Sequence, residues 1–325
     1  MRRATGLLAL GAAALLLAGC GTGQIGESGG GTDPNNKNLA MITGMRGEPF
    51  YVSMECAAKE AAAAQGYQIN VQAPEKFEQA EQSQILGGVI SSKPGAVIIA
   101  PTDDKALAAP LKQAKSNGIK VVEVDTALQD RSIAVSSLSS DNYEGGKLAA
   151  QTLVRLLDGK TGSVLALNTK AGTSTTDARA KGFEDEIKKH PGLTLLPTQY
   201  TKNEPATAAQ IVSSTLAATP DLVGVFGTNL NTGEGAGTAL ANAGKSGEVQ
   251  LVGFDASPKQ VDDLRNGRVQ ALIAQDPAQI GQKGVDRAIA AIKGEQVERE
   301  TKTKMISITK DDMEQKKQFF YKSQC

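Results

Sequence analysis

The stretch LAMITGMRGEPFYVSMECAAKEAAAAQGYQINVQ, residues 39–72, decides the fold. Its ends, LAMIT at 39–43 and YQINVQ at 67–72, are short and β-branched. Its middle, 52–65, has the apolar spacing of a helix and stops at Gly66, the residue that most easily adopts the left-handed backbone of a helix end. Strand, helix, strand at this length is a βαβ unit, whose two strands run parallel and are covered on both faces. The pattern continues through GAVIIA at 95–100 and IKVVEV at 119–124, with helices predicted over 77–90 and 106–116.

After Asp141 the rhythm restarts. The strands expected there are SVLALN, LTLLPT, DLVGVFG, VQLVGFD, VQALIAQ and, last, KMISIT at 304–309. Helices are predicted over 143–157, 177–189, 205–217, 233–243, 258–266 and 277–293. This is an α/β protein of two doubly wound, parallel-sheet lobes, two α/β runs in sequence followed by a late return. Open sheets of this kind bind ligands beyond the carboxyl ends of their strands. The residues at those ends are Phe50 and Tyr51, Asp125, Asn229, Asp255 and Gln275. Carboxylates and amides pair with adjacent hydroxyls, and aromatic faces cover C–H patches, so the set suits a sugar. Each polar member, taken singly, is equally suited to capping a helix.

The N-terminus reads as a processing signal. Arg2 and Arg3 precede an apolar run over 7–18, followed by LAGC ending at Cys20. The run is too short for a membrane span. The tetrapeptide resembles the lipobox of bacterial lipoproteins, which implies a signal peptide over 1–20 and acyl chains on Cys20, hence an extracytoplasmic protein held at the cell membrane. Residues 21–37 are glycine-rich and polar, a flexible tether.

Beyond the signal about 300 residues remain, too many for one ordinary core. The chain carries 35 basic and 35 acidic residues; without Arg2 and Arg3 the balance is 33 against 35, a net of −2. That leaves no electrostatic footprint for nucleic acid. The one histidine, His190, lies in KKHPG at a helix end, and no second histidine or cysteine cluster accompanies it, so neither a metal, a cofactor nor an enzyme active site is expected. With Cys20 taken by lipid, Cys56 and Cys325 form an even pair in an oxidising compartment; a disulfide between them is expected, the alternative being two free thiols.

Seven further stretches, in this order and spacing, are specific: PFYVS at 49–53, APTD at 100–103, VDT at 124–126, SDNYEGG at 140–146, AGTSTTDARAKGF at 171–183, VGFD at 252–255 and IAQDPAQIG at 273–281. On these the chain resembles the ribose-binding type of bacterial sugar-binding proteins, the type I periplasmic binding proteins, from Leu39 to about Lys310. The resemblance implies two lobes joined by a three-strand hinge near 138–142, 275–276 and 304–306, with 38–139 plus 276–304 in the first lobe and 140–275 plus 305–325 in the second. It implies that Phe50, Tyr51 and Asp125 face the sugar from the first lobe, and Arg179, Asn229, Asp255 and Gln275 from the second.

Two positions depart from the ribose pattern: Thr126 stands where an arginine is usual, and Glu48 where an asparagine is usual. Both join the candidate ligand contacts, and they point to a different sugar or a polyol. Tyr200 or Asn203 is expected near the site where the family carries another aromatic. The partner implied is an ABC permease with its ATPase, served by a monomeric binding protein; the alternative is a sensory co-receptor for a membrane kinase. A transcription regulator of the same fold would carry a helix-turn-helix where this chain has its signal. The GEGAG run at 233–237 lacks the spacing of a phosphate loop and reads as a loop and a helix start.

Overall fold

The structure is a computed structural model and describes residues 33–325. The signal peptide, Cys20 and the tether as far as residue 32 lie outside the described residues.

Two sheets organise the chain. The first has six parallel strands in the order β12-β5-β4-β3-β1-β2, numbered along the chain: β1 (Asn38–Ile42), β2 (Gln68–Gln72), β3 (Ala96–Ile99), β4 (Lys120–Val124), β5 (Ser136–Ser140) and β12 (Glu300–Thr303). The second follows the order β13-β11-β10-β9-β6-β7: β6 (Gly162–Asn168), β7 (Leu193–Leu195), β9 (Leu222–Gly227), β10 (Gln250–Phe254), β11 (Ala271–Ala274) and β13 (Ile306–Thr309). The short β8 (Gln199–Tyr200) pairs with β6. Strands β3 and β4 are almost wholly buried, as expected of parallel strands covered on both faces.

One strand breaks the parallel pattern. β13 runs antiparallel to β11. β12 runs toward the interlobe cleft, and only Lys304 and Met305 separate it from β13. The chain therefore enters the second lobe heading away from the cleft, against the strands already there. β5 and β12 were not legible as strands: SSLSS and ETKT carry little apolar surface and gain their place from each other, pairing in parallel as Thr301 with Leu138 and its neighbours.

Helices cover both sheets. In the first lobe these are α1 (Pro49–Ala64), α2 (Gln79–Ser91), α3 (Ala108–Ser116) and α9 (Pro277–Ile292); in the second, α4 (Asn142–Leu157), α5 (Ser174–Ile187), α6 (Pro205–Ala218), α7 (Leu230–Asn242) and α8 (Pro258–Arg265). Helix α1 begins at Pro49, which suits a first helical position, so Phe50 and Tyr51 lie in its first turn rather than in a strand-end loop. The GEGAG run, expected to be a loop and a helix start, lies wholly inside α7, which begins at Leu230. Its glycines allow α6 and α7 to touch: a Cβ on Gly235 would overlap the carbonyl of Pro205.

Matching contacts hold the other helix pairs. A Cβ on Gly281 of α9 would overlap the Met54 carbonyl of α1, and one on Gly146 of α4 would overlap the Arg179 carbonyl of α5. Beyond β13 and a 3₁₀ segment, Met313–Phe319, the chain returns to the first lobe, where Cys325 is joined to Cys56 of α1 with Cα atoms 5.3 Å apart. The last residues therefore leave the second lobe, in which residues up to 325 were expected.

The close helix contact gives two opposite expectations. Gly146→Ala should lower stability by about 1–3 kcal/mol through overpacking, and thereby the melting temperature by about 2–4 °C per kcal/mol. Gly87→Ala, on an exposed turn of α2 with open space around it, should raise stability by about 0.5–1 kcal/mol. Thermal denaturation of the two variants checks this; equal effects would contradict it.

Candidate functional site

Each sheet ends at the cleft in an aspartate. Asp125 follows β4 with φ 61° and Asp255 follows β10 with φ 78°. Both backbones are left-handed, a conformation that short polar side chains tolerate better than most. Both amides donate 2.8 Å hydrogen bonds to the neighbouring strand, at the carbonyls of Leu138 and Ile273 respectively. Each carboxylate also accepts from a phenol: Tyr51 Oη donates to Asp125 Oδ2 at 2.8 Å, and Tyr321 Oη to Asp255 Oδ1 at 3.0 Å. The two lobes thus repeat one device.

Arg179 projects from α5 and is 3 % exposed. Its guanidinium lies 3.7 Å from the centroid of the Phe254 ring, a cation–π contact. Nε donates to Asn142 Oδ1 at 2.8 Å, Nη1 to the Thr228 carbonyl at 3.0 Å and Nη2 to Gln275 Oε1 at 3.0 Å. Two of its five N–H groups are left over.

Gln275 passes the network on, giving Nε2–H to Asp255 Oδ1 at 2.7 Å while its Oε1 also accepts from Ser140 Oγ at 2.7 Å. Ser140 lies 3.3 Å from Thr303 Oγ1. Ser140, Gln275 and Thr303 sit on the three chain segments that cross between the lobes, so the crossing is wired to Arg179 and Asp255.

These groups line a pocket between the lobes whose unfilled space, about 390 Å³, includes open solvent at its mouth. All nine candidates line it: Glu48, Phe50, Tyr51, Asp125, Thr126, Arg179, Asn229, Asp255 and Gln275. The lobes meet over it, Ala127 N–H donating to Ser174 Oγ at 3.1 Å. Of the two residues expected from the segment before α6, Asn203 lines the cavity, whereas Tyr200 is half exposed on β8 and does not. Some candidates are partly spent. Thr126 Oγ1 donates its proton to the Pro101 carbonyl at 2.7 Å, so toward a ligand it can only accept. Asn229 caps α7, accepting from Thr232 N–H at 3.1 Å and donating to Asn203 Oδ1 at 2.7 Å.

Sequence reasoning missed Phe77, Thr169, Thr173, Thr175 and Thr176, which also line the cavity. The signal for three of them was the TSTT run at 173–176 that opens α5, a typical place for caps. Thr173 is the informative one. It is 4 % exposed, and its Oγ1 is the sole buried side-chain nitrogen or oxygen among the described residues without a hydrogen-bond partner. A buried hydroxyl left so costs about 1–3 kcal/mol, a cost that a bound hydroxyl removes.

The charges do not balance: Glu48, Asp125 and Asp255 share the cavity with Arg179 alone. Burial pushes Asp125 up to about 6, against the lowering pull of Arg179 and of the Tyr51 hydrogen bond. Glu48, partly accessible at the surface yet enclosed by protein on most sides, is raised to about 8, first by burial and then by repulsion from Asp255 and Asp125. Tyr51 and Tyr321 are held well above the usual phenol value by burial and the neighbouring carboxylates, so both stay protonated donors.

Residues 39–296 match the family model for a periplasmic binding protein domain. This chain belongs to the periplasmic binding protein family. Among periplasmic binding proteins it is similar to the ribose import binding protein of Escherichia coli strain K12, 31 % identical over 260 residues, which cover 80 % of this chain and 86 % of that protein. It is also similar to the D-apiose import binding protein of Actinobacillus succinogenes, 28 % identical over 284 residues covering 87 % and 91 % of the two chains. An ABC transporter solute-binding protein from Agrobacterium vitis, solved with bound α-D-tagatopyranose, superposes with a TM-score of 0.85 at 38 % identity, covering 88 % of this chain and 99 % of its own. The chain is thus a periplasmic binding protein of the ribose-binding type, an extracytoplasmic solute-binding protein and not an enzyme.

The raised carboxyls make the ligand-free protein sensitive to pH. Folded Glu48 and Asp125 keep protons that the unfolded chain has released near 4.5 and 3.8. Stability is therefore lost as pH rises from those values through about 6 and about 8. The melting temperature of the ligand-free wild type should fall between about pH 5 and pH 8 more steeply than that of Glu48→Gln. Identical slopes would show that Glu48 is ionised throughout.

Proposed function

We propose that this protein captures a neutral monosaccharide, in its pyranose form, between the lobes and delivers it to the permease of an ATP-driven importer. Cys20 carries acyl chains that hold the protein at the outer face of the membrane. The observation that carries the reading is the cavity itself. It offers the carboxylates of Asp125 and Asp255, the protonated carboxyl of Glu48, an arginine with two free N–H groups, amides and an unpartnered hydroxyl beside the rings of Phe50 and Tyr51.

A set so rich in acceptors pairs with a ligand rich in O–H donors. An anionic sugar, whether an acid or a phosphate, would bring its charge against Asp125 and Asp255. Asp125 and Asp255 accept hydroxyls on the lone pairs that Tyr51, Tyr321, Gln275 and the Leu230 amide leave free, Arg179 gives paired bonds to vicinal oxygens, and the aromatic rings cover C–H faces. Glu48, protonated at neutral pH, donates where Thr126 cannot. These two residues direct the choice away from ribose. The Agrobacterium vitis relative with bound tagatopyranose supports a pyranose. Closure onto the sugar completes bonds from both lobes at once, which is how a two-lobed receptor distinguishes loaded from empty.

Isothermal titration of the signal-less protein against D-tagatose, D-ribose, D-allose, D-fucose and D-arabinose tests this. At least one should bind at micromolar or tighter affinity, about −8 kcal/mol. Arg179→Ala and Asp255→Ala should each weaken it by about 100-fold, since each leaves buried polar partners unpaired. Thr173→Val should weaken it by about 10-fold while leaving the ligand-free melting temperature equal or higher, because it removes an unsatisfied hydroxyl. Failure of every sugar to bind, or full affinity in Arg179→Ala, would refute the site.

A further inference from the structure

We propose that the C-terminal segment 320–325 is a strap that completes the sugar site, with Tyr321 positioning Asp255 and Gln275 and the Cys56–Cys325 disulfide holding the strap across the two lobes. The sugar site itself rests on the function proposed above; the strap rests on contacts of its own.

Three chain crossings suffice to connect the lobes, and the tail adds a fourth. At one end it is fixed to the second lobe: Tyr321 N–H donates to the Ala256 carbonyl at 2.9 Å. Its phenol donates to Asp255 Oδ1 at 3.0 Å and accepts from Gln275 N–H at 3.1 Å. At the other end it is fixed to α1 of the first lobe. Lys322 N–H donates to Ser53 Oγ at 2.7 Å, the Tyr321 ring packs edge-on against Phe50 with centroids 5.8 Å apart, and Cys325 is bonded to Cys56. Phe50, Ser53 and Cys56 lie on the same helix as Tyr51, the phenol that serves Asp125.

The comparison of the two lobes gives the tail its meaning. In the first lobe the aspartate receives its phenol from the lobe's own helix. In the second lobe Asp255 receives it from a residue 66 positions away, at the end of the chain. Tyr321 does not line the cavity, so it acts through Asp255 and Gln275. Because the disulfide ties the tail to α1, separating the lobes must pull Tyr321 away from Asp255 or from Phe50. The strap therefore favours the closed arrangement and sets the aspartate only when the lobes are together.

Two arms test this. In the first, small-angle scattering compares the ligand-free, oxidised wild type with Cys325→Ser; the severed strap should give a larger radius of gyration, and identical profiles would overturn the proposal. In the second, D-tagatose affinity is measured for wild type, Tyr321→Phe, Asp255→Asn and the double variant. Tyr321→Phe, which keeps the disulfide, should weaken binding by about 10-fold with Asp255 present and hardly at all in Asp255→Asn. Equal losses in both backgrounds would mean a merely structural tyrosine, and no loss would overturn the positioning role. Should the wild type bind D-tagatose not at all, another sugar from the panel above replaces it. If the whole panel fails, the sugar reading falls and the scattering arm alone decides the strap. If Cys325→Ser does not fold, reduction of the native disulfide severs the same strap.

Discussion

A lone guanidinium holds this site together. Arg179 sits on the Phe254 ring and donates to Asn142, Thr228 and Gln275, groups drawn from α4, from the end of β9 and from the end of β11. Burying a cation costs several kcal/mol unless its donors find acceptors. Here three backbone and side-chain oxygens meet that need, and the carboxyl groups of Glu48, Asp125 and Asp255 line the same cavity. The position of α5, and with it the threonine run at its start, follows from where this side chain must point. Gly146 makes that position attainable by letting α4 pass close beneath the Arg179 backbone.

The same network reaches the crossing between the lobes. Gln275 touches Arg179, Asp255 and Ser140 at once, and Ser140 lies against Thr303. Two lobes that move about these segments cannot do so without disturbing the groups that line the cavity. Site and hinge are thus one hydrogen-bonded assembly. The excess of acid in the cavity works in the same direction, since like charges gathered without a ligand raise the free energy of the empty closed state.

Much of this was legible in the residues, and the misses have physical causes. Parallel strands buried on both faces announce themselves as apolar runs, so β1, β3, β4, β9, β10 and β11 were readable. SSLSS and ETKT were not, because a strand made of serine and threonine owes its existence to the strands beside it. Helices begin a few residues ahead of their apolar face where a proline or serine opens them, as at Pro49 and Ser174. The candidates at strand ends all reached the cavity, because topology alone sends the ends of parallel strands to one edge of a sheet. Thr173 and Phe77 lie off those ends, in loops whose path no periodicity encodes. Tyr321 was invisible for another reason: nothing local distinguishes FFYKSQC from any other tail.

The residues by themselves determined the two α/β lobes, the absence of an electrostatic footprint for nucleic acid, and the list of polar groups at the cleft edge. Those features depend on spacing and composition, which are properties of the chain. Tertiary structure decided how each group is used. It spent the Thr126 proton on the Pro101 carbonyl, left Thr173 without a partner, and gathered Glu48, Asp125 and Asp255 around one arginine. Hydrogen-bond satisfaction and the energy of a buried charge depend on which atoms lie within about 3 Å, and only the folded chain sets those distances.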